Sequence, residues 1–325
     1  MKPIVSIVIP VFNGEKFIKD CIESIKTQTV KEIQIIVIDD GSQDNTPSIL
    51  RKLESEDNRI EVIYQNNGGV SAARNIGLQF VRAEWVLFVD ADDQIEKNYC
   101  LSLLDAAYHL GTDVIIARQS SEGEPRYYIL QEKQKLIQAC LSYNEDSYPF
   151  NIDAPWGKLF RYDKICEKHI CFPEELSRSE DAYFCLRFYE AADSIGVLNQ
   201  FGYIHIEREG SVCHSFTSNS NEILEKVLYL NKHWVMTYYP YEKKYINALW
   251  YRVLPGIIEC EKTFFLHPKF SGKLAFEYQK FLRQPMVSQA IHNLKLSDIL
   301  NKKYKIRLLF YKLHLGWLFI IIKRI

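Results

Sequence analysis

Short apolar runs alternate with segments of helical hydrophobic spacing over the first part of the chain. The runs at residues 5–9, 33–38, 60–64 and 85–90 are typical of strands, and the last of them has the pattern of a strand buried on both faces. Between them, apolar side chains recur every three or four residues, as in residues 17–25, and predict helices. Strands and helices that alternate in short units predict an α/β fold with an open, mostly parallel central sheet flanked by helices.

Polar loops follow three of these predicted strands, at residues 10–14, 39–42 and 90–93. Because parallel strands end at the same edge of a sheet, the loops are expected to meet where open α/β folds bind ligands. Asp90 and Asp92 stand two residues apart, so on an extended chain they point to the same side. Such carboxylates suit Mg²⁺ or Mn²⁺ that also holds phosphate. The alternative is an acidic turn in which Asp92 or the adjacent Asp93 caps the next helix.

A glycine-rich segment leads from the third strand into a helix. Gly68 and Gly69 offer backbone N–H groups, and Arg74 offers a positive charge. These groups suit a phosphate at the same edge of the sheet. The alternative for Arg74 and Asn75 is an ion pair or a cap on the helix surface.

Composition excludes several other classes. The 40 Lys and Arg nearly balance the 41 Asp and Glu, so there is no overall basic field for nucleic acid. The eight cysteines form no CxxC pair, which indicates reduced thiols in a cytosolic protein. No 18-residue apolar span occurs, so a membrane-spanning helix is not expected.

Four motifs carry a resemblance to a known family: P-V-F-N, I-D-D-G-S-x-D-N-T, Q-N-N-G-G-V-S-A-A-R-N-x-G and F-V-D-A-D-D. In order and spacing they resemble the nucleotide-binding half of family 2 glycosyltransferases of the GT-A fold, of the bacterial polysaccharide-biosynthesis type. The resemblance implies an inverting transferase that uses a nucleotide sugar, usually a uridine diphosphate sugar, and Mn²⁺ or Mg²⁺. The acceptor would be a hydroxyl of a glycan or of a lipid-linked molecule.

The resemblance also implies roles for particular residues. The nucleotide base and ribose would be held by Pro10, Val11, Phe12, Asn13 and Asp39. The remaining donor contacts would come from Asn66, Gly69, Arg74, Asp90, Ala91, Trp156, Arg208 and Ser211. Asp92 would bind the metal, with Asp90 and His214 as further metal ligands. A lone histidine more often has a structural role, so the alternative for His214 is a structural role without metal contact.

The second half of the chain resembles the family in two segments. A W-x-K-L-F run at residues 156–160 would lie near the acceptor, and an E-D pair opens a helix at residues 180–181. Inverting transfer needs a base that takes the proton of the attacking hydroxyl. We expect Asp181 to be that base, with Glu180 as the alternative or as its support. The competing interpretation is that both acids only cap the helix and interact with its dipole.

These motifs predict a GT-A domain over residues 1–217, divided into a nucleotide-sugar half (1–117) and an acceptor half (118–217). A helical region (218–325) would follow. Its last residues combine an apolar run of about ten residues, too short to span a bilayer, with flanking Lys and Arg. They fit a helix on the inner face of the cell membrane or one packed on the core or on a second subunit, so peripheral membrane contact and oligomerisation both stay open.

Other classes of function remain to be weighed. A haloacid-dehalogenase-like phosphatase also carries a D-x-D motif after an apolar strand, but it prefers Thr or Val where this chain has Asp93. A non-catalytic nucleotide-sugar-binding protein would keep the same motifs. Neither GxxxxGK[ST] nor GxGxxG follows the first strand, which argues against a P-loop ATPase and a Rossmann dehydrogenase.

Overall fold

The computed structural model describes residues 2–118, 126–143, 148–200, 202–206 and 216–324. The chain divides into two compact units, Met1–Cys140 with Glu145–Glu207, and Leu141–Asn144 with Arg208–Ile325. The assignment of donor and acceptor roles to residues 1–117 and 118–217, and of a separate role to 218–325, stays a prediction.

Strands and helices alternate through the first unit as the hydrophobic pattern predicts. The strands are β1 (Val5–Val11), β2 (Ile33–Asp39), β3 (Ile60–Tyr64), β4 (Trp85–Phe88), β5 (Gln94–Ile95), β6 (Val114–Ala117), β7 (Arg126–Ile129), β8 (Lys158–Arg161), β9 (Ile195–Asn199) and β10 (Tyr203–Ile204). The helices up to residue 191 are α1 (Ile18–Lys26), α2 (Thr46–Glu56), α3 (Val70–Gln79), α4 (Tyr99–Leu110), α5 (Lys133–Ser142), α6 (Tyr162–Glu167) and α7 (Glu180–Ala191).

Eight strands form the central sheet in the order β3-β2-β1-β4-β8-β6-β9-β7, and β10 pairs with β5 in a separate ribbon. The first four strands of that order are parallel, and β8 runs antiparallel to both of its neighbours. The register places Val11 beside Asp39, so β1 and β2 end at the same edge. The predicted open α/β sheet, mostly parallel and flanked by helices, is confirmed.

Close packing of α3 on the sheet fixes the position of that helix. A Cβ at Gly77 would lie only 2.4 Å from Cγ1 of Val8 in β1, so a larger residue would push the helix away from the strand. Helix α1 buries Ile18, Ile22 and Ile25 in the core on the other face of β1, which contains Ile7 and Ile9. The buried sheet and its helices therefore hold the strand ends rigidly.

The second unit is helical in the part that the structure describes. Its helices are α8 (Ser220–Tyr238), α9 (Lys243–Tyr251), α10 (Val253–Cys260), a π-helical turn (Glu261–Phe265), α11 (Leu274–Leu282), α12 (Pro285–Asn293), a 3₁₀ turn (Leu296–Asp298), α13 (Lys302–Lys312) and α14 (Trp317–Arg324). None of the helices in the described ranges is long and apolar enough to cross a membrane.

A buried carboxylate ties the last two helices to this unit. Glu261 is fully buried and accepts hydrogen bonds from Arg307 at 2.7 Å and Lys323 at 2.8 Å. The Tyr278 hydroxyl donates a third at 2.6 Å. Burial opposes ionisation of Glu261, but these donors outweigh it and lower its pKa. Ile320 of α14 is also fully buried. The C-terminal helix is thus packed within its own unit.

Candidate active site

The loops after β1 and β2 are joined to each other at the carboxyl edge of the sheet. Asn13 adopts a left-handed backbone with φ 52°; its N–H donates to the Ser42 hydroxyl, and its side-chain oxygen accepts from the Gln43 N–H. Asp39 is buried and accepts from the Ser42 N–H at 3.0 Å. The exposed Phe12 ring comes directly before Asn13. Of the predicted base and ribose contacts, Phe12 and Asn13 lie in this cross-linked pair of loops. The others are the last residues of the strands, Pro10 and Val11 in β1 and Asp39 in β2.

Asp40 holds the glycine-rich segment, a role that the sequence did not suggest. Its carboxylate accepts from the N–H groups of Gly68 at 2.7 Å and Gly69 at 2.8 Å, and from the Gln65 amide at 2.7 Å. Both glycine donors thus have a protein partner, so a phosphate contact at Gly69 would require that partner to be exchanged. The donor contacts predicted for Gly69 and for the exposed Asn66 stay predictions.

The three carboxylates of the acidic turn after β4 differ in exposure. Asp90 and Asp92 are partly exposed, whereas Ala91 and Asp93 are buried. The Asp93 N–H closes the turn on the Asp90 carbonyl at 3.0 Å. Strand β5 follows, and α4 begins only at Tyr99 with Asn98 as its N-cap residue. The alternative in which Asp92 or Asp93 caps the next helix is therefore wrong.

Asp93 instead anchors the acidic turn to β10 and the residues after it. Its carboxylate accepts from the Tyr203 hydroxyl at 2.8 Å and from the Ile206 N–H at 3.0 Å, and lies 3.2 Å from Nδ1 of His205. The Tyr203 hydroxyl in turn accepts from the Asp90 N–H at 3.1 Å. One buried acid and one tyrosine thus fix the backbone that presents Asp90.

Asp90 and Asp92 provide carboxylate oxygens suitable for a divalent cation. Within the described ranges, no group of three or more His, Cys, Asp and Glu side chains could hold a metal by itself. Mg²⁺ and Mn²⁺ need no such group, since they take one or two carboxylates and complete their shell with substrate phosphates and water. The pair therefore fits a cation that binds together with a diphosphate. The other predicted metal ligand, His214, lies outside the described residues.

Arg74 bridges the acidic turn and the candidate base. Its Nη2 lies 2.9 Å from Oδ1 of Asp90, and its Nη1 lies 2.6 Å from Oδ1 of Asp181. The guanidinium is almost fully buried and stacks over the Phe172 ring, 5.2 Å from its centroid. Burial opposes its charge, but the carboxylates of Asp181 and Asp90 outweigh that effect and raise the pKa of Arg74. For Arg74, the alternative of an ion pair on the helix surface is therefore wrong, because its guanidinium is buried between Asp90 and Asp181.

Asp181 and Glu180 open helix α7 beside this guanidinium. Burial raises the pKa of Asp181 to about 7, although Arg74 acts in the opposite direction. Burial also raises the pKa of Glu180, and its buried Oε2 has no hydrogen-bond partner among the described residues. One guanidinium facing several carboxyl groups cannot keep them all ionised. Proton exchange near neutral pH is what a general base requires.

Trp156 and Lys158 flank the site from the start of β8. The Trp156 ring stacks on Tyr203 with centroids 5.0 Å apart, and runs parallel to the His205 ring at 6.1 Å. Lys158 is buried, and its Nζ donates to the Ala154 carbonyl. Burial lowers the pKa of Lys158. The predicted contacts of Arg208 and Ser211 lie outside the described residues.

The fold and the site define an α/β protein of the GT-A type with acids at its ligand edge, and comparisons with known proteins agree. The model of the family described as "Glycosyl transferase family 2" matches residues 6–165. Glycosyltransferase GlyG of Streptococcus pneumoniae serotype 4 is 30% identical over 224 residues, which are 65% of this chain and 73% of GlyG. The chain belongs to glycosyl transferase family 2.

Two other proteins resemble the chain, one in sequence and one in structure. The putative glycosyltransferase EpsH of Bacillus subtilis is 34% identical over 205 residues, or 59% of this chain. The match spans 58% of EpsH, which is less than two thirds of that protein. The crystal structure of residues 1–349 of Staphylococcus aureus TarS in complex with UDP-GlcNAc superimposes with a TM-score of 0.70 at 21% identity, covering 96% of this chain and 88% of that one. At that identity the likeness establishes the fold alone.

Proposed function

We propose that this chain is an inverting, metal-dependent glycosyltransferase. It moves a sugar from a nucleotide diphosphate sugar to a hydroxyl of a glycan or lipid-linked acceptor in the synthesis of a cell-surface polysaccharide. The single observation that carries the proposal is the buried Arg74, which joins Asp90 of the acidic turn to Asp181 at the start of α7. The family's donor motif and a titratable carboxyl group therefore share one site.

In this mechanism the two acids have different tasks. The Asp181 carboxylate takes the proton from the acceptor hydroxyl as the hydroxyl oxygen attacks the anomeric carbon of the donor. The bond between that carbon and the diphosphate oxygen breaks, and the nucleoside diphosphate leaves with the electron pair. Attack opposite the leaving group inverts the anomeric centre. Asp90, held by Arg74 and by the Tyr203 hydroxyl on its backbone N–H, orients the donor.

The carboxylates of Asp92 and Asp90 would hold Mn²⁺ or Mg²⁺, whose charge when bound neutralises the leaving diphosphate. The loops that contain Asn13 and Asp39 would receive the base and the ribose. A uridine diphosphate sugar is the donor that we favour, because the motif resemblance is to enzymes that usually use one and the fold neighbour TarS was crystallised with UDP-GlcNAc. Oligomerisation and a cytoplasmic location remain predictions from sequence.

Release of nucleotide from a panel of UDP-, GDP- and dTDP-sugars, with and without Mn²⁺, tests the proposal. We expect slow donor hydrolysis for one nucleotide class only, dependent on the metal and lost in Asp181→Asn. Asp105→Asn is the matched control, since Asp105 lies on the exposed surface of α4. Donor binding without nucleotide release across a wide acceptor panel would favour the non-catalytic binder. Hydrolysis of generic phosphoesters would favour the phosphatase.

A further inference from the structure

The C-terminal segment differs in charge from the rest of the chain. Residues 294–325 contain eight Lys and Arg but only one acid, Asp298, whereas the whole chain has a net charge of −1. Three of these cations are used inside the unit, since Arg307 and Lys323 bind Glu261 and Lys312 donates to the His292 carbonyl at 2.9 Å. The others include three lysines at the start of α13 (Lys302–Lys312).

Helix α13 has an apolar stripe on the side that faces away from its own unit. Ile306, Leu309 and Leu313 are 53%, 43% and 57% exposed, and their spacing places them on one side of the helix. Leu308 and Tyr311, on the opposite side, are buried. The helix is therefore apolar on two faces, of which only one is covered.

Lysines border the exposed stripe on both sides. With an advance of 100° per residue, Lys305 falls on one flank of the stripe and Lys303 on the other, while Lys302 continues the line of the stripe toward the N-terminus. Long lysine stems extend along an apolar surface and keep their ammonium groups in water. Aliphatic side chains between basic flanks are the pattern of helices that lie in the interface of a bilayer.

We propose that the exposed face of α13 docks on an anionic lipid surface. The stripe of Ile306, Leu309 and Leu313 would enter the boundary between headgroups and acyl chains, and Lys302, Lys303 and Lys305 would contact acidic headgroups. A second copy of the chain is a poorer occupant, because a two-fold contact through this face would set lysines against lysines. The stripe also contains no Trp, Tyr or Arg, the residues that dominate protein–protein hot spots.

The sequence left membrane contact and packing on protein both open for the basic and apolar tail as a whole. In the structure, α14 (Trp317–Arg324) has Ile320 fully buried, the Phe319 ring against Phe310 at 4.8 Å and Lys323 on Glu261. Ile322 is the exposed large apolar side chain of the described part of α14. The larger apolar surface with lysines on its borders belongs to α13.

Co-sedimentation of the purified full chain with vesicles tests this assignment without donor, acceptor or metal, so its outcome is independent of the proposed activity. We expect binding to phosphatidylcholine vesicles that contain phosphatidylglycerol, weaker binding as salt rises, and none to phosphatidylcholine alone. Leu309→Glu should weaken binding at least tenfold. Lys303→Gln with Lys305→Gln should weaken it about 25-fold, or about five-fold per lysine. Phe276→Glu, at an exposed aromatic residue of α11, is the control and should bind as the unaltered chain does.

If Leu309→Glu unfolds the protein, the variant with Lys303→Gln and Lys305→Gln still tests the assignment, because both lysines lie on the flanks of the exposed stripe of α13. Equal binding to neutral vesicles, no binding to either kind, or unchanged binding by both variants would overturn the proposal. The proposal would also be overturned if the unaltered chain does not bind vesicles but forms a dimer in sedimentation velocity, and Leu309→Glu converts that dimer to a monomer. That last result would assign the face to a second copy.

Discussion

Nη1 of Arg74 lies 2.6 Å from Oδ1 of Asp181, although the two residues are 107 positions apart in the chain. The guanidinium is buried, and its other end holds Asp90. Arg74 therefore pairs with both the carboxylate that orients the donor and the carboxylate that removes the proton in the proposed reaction.

Replacing Arg74 by Ala should lower the free energy of unfolding by about 1–3 kcal/mol, because two partly buried carboxylates lose a charged hydrogen-bond donor. Arg74→Lys should retain more stability but lower kcat, since one ammonium cannot bridge two carboxylates as a planar guanidinium does. Chemical denaturation and steady-state kinetics measure both effects. The control is Arg82→Ala, which breaks the exposed pair with Glu61 and should cost about 0–1 kcal/mol. Equal losses in Arg74→Ala and Arg82→Ala would contradict the bridging role.

Asp181→Asn should bind donor normally but turn over about 10²–10⁴ times more slowly, the range expected when a general base is removed. Calorimetric titration with the donor and single-turnover kinetics separate binding from transfer. Asp105→Asn serves as the matched surface substitution. If Glu180→Gln loses turnover and Asp181→Asn keeps it, the base is Glu180.

The rate should also depend on pH through Asp181. Burial raises the pKa of this carboxyl to about 7, so the protonated, inactive form accumulates below that pH. We expect kcat/KM to fall about tenfold per pH unit below about pH 7 and to level off above it. The negative charge of Glu180 raises the pKa of Asp181, so Glu180→Gln should move the acidic limb to lower pH. If the acidic limb of the pH profile lies at the same pH in Glu180→Gln, the charge of Glu180 does not affect the pKa of Asp181.

The parts of the site that could be predicted from sequence are those fixed by strand ends and local motifs. Asp39 and Asp90 follow apolar runs, and parallel pairing brings such positions to one edge. The roles of Asp93 and Asp40 could not be predicted, because their hydrogen-bond partners lie 110 and 28 positions away. The sequence contains no local signal for contacts of that kind.

In the fold, too, the features with a local sequence signal could be predicted and those that depend on distant segments could not. Residues 60–64 were predicted as a strand with the observed bounds of β3, since a short apolar run is a local signal. The central place of β8, antiparallel between β4 and β6, depends on pairing between distant segments and could not be predicted. The helical C-terminal region was predicted from spacing alone, but the burial of Glu261 under Arg307 and Lys323 was not.

Asp92→Ala should abolish transfer and leave the unfolding free energy within about 0.5 kcal/mol, since the side chain is partly exposed. Binding of Mn²⁺ in the presence of UDP, followed by electron paramagnetic resonance, should weaken in parallel. Asp105→Ala is the control for loss of a surface acid. Full activity of Asp92→Ala would refute the metal assignment.

Tyr203→Phe tests the anchor of the acidic turn. Its hydroxyl donates to the buried Asp93 and accepts from the Asp90 N–H. Its removal therefore deletes one hydrogen bond of the Asp93 carboxylate and one of the Asp90 N–H. We expect a loss of about 1–3 kcal/mol of unfolding free energy and a higher KM for the donor, because Asp90 would be held less firmly.

Tyr108→Phe is the matched control, because the exposed Tyr108 hydroxyl meets Glu84 at 3.2 Å and its loss should change stability by at most about 0.5 kcal/mol. Thermal unfolding and donor titration of both variants make the comparison. A stability loss at Tyr203 with an unchanged donor KM would limit the tyrosine to a role in folding. A raised KM would instead make it a positioning residue for the donor, acting through the backbone of Asp90.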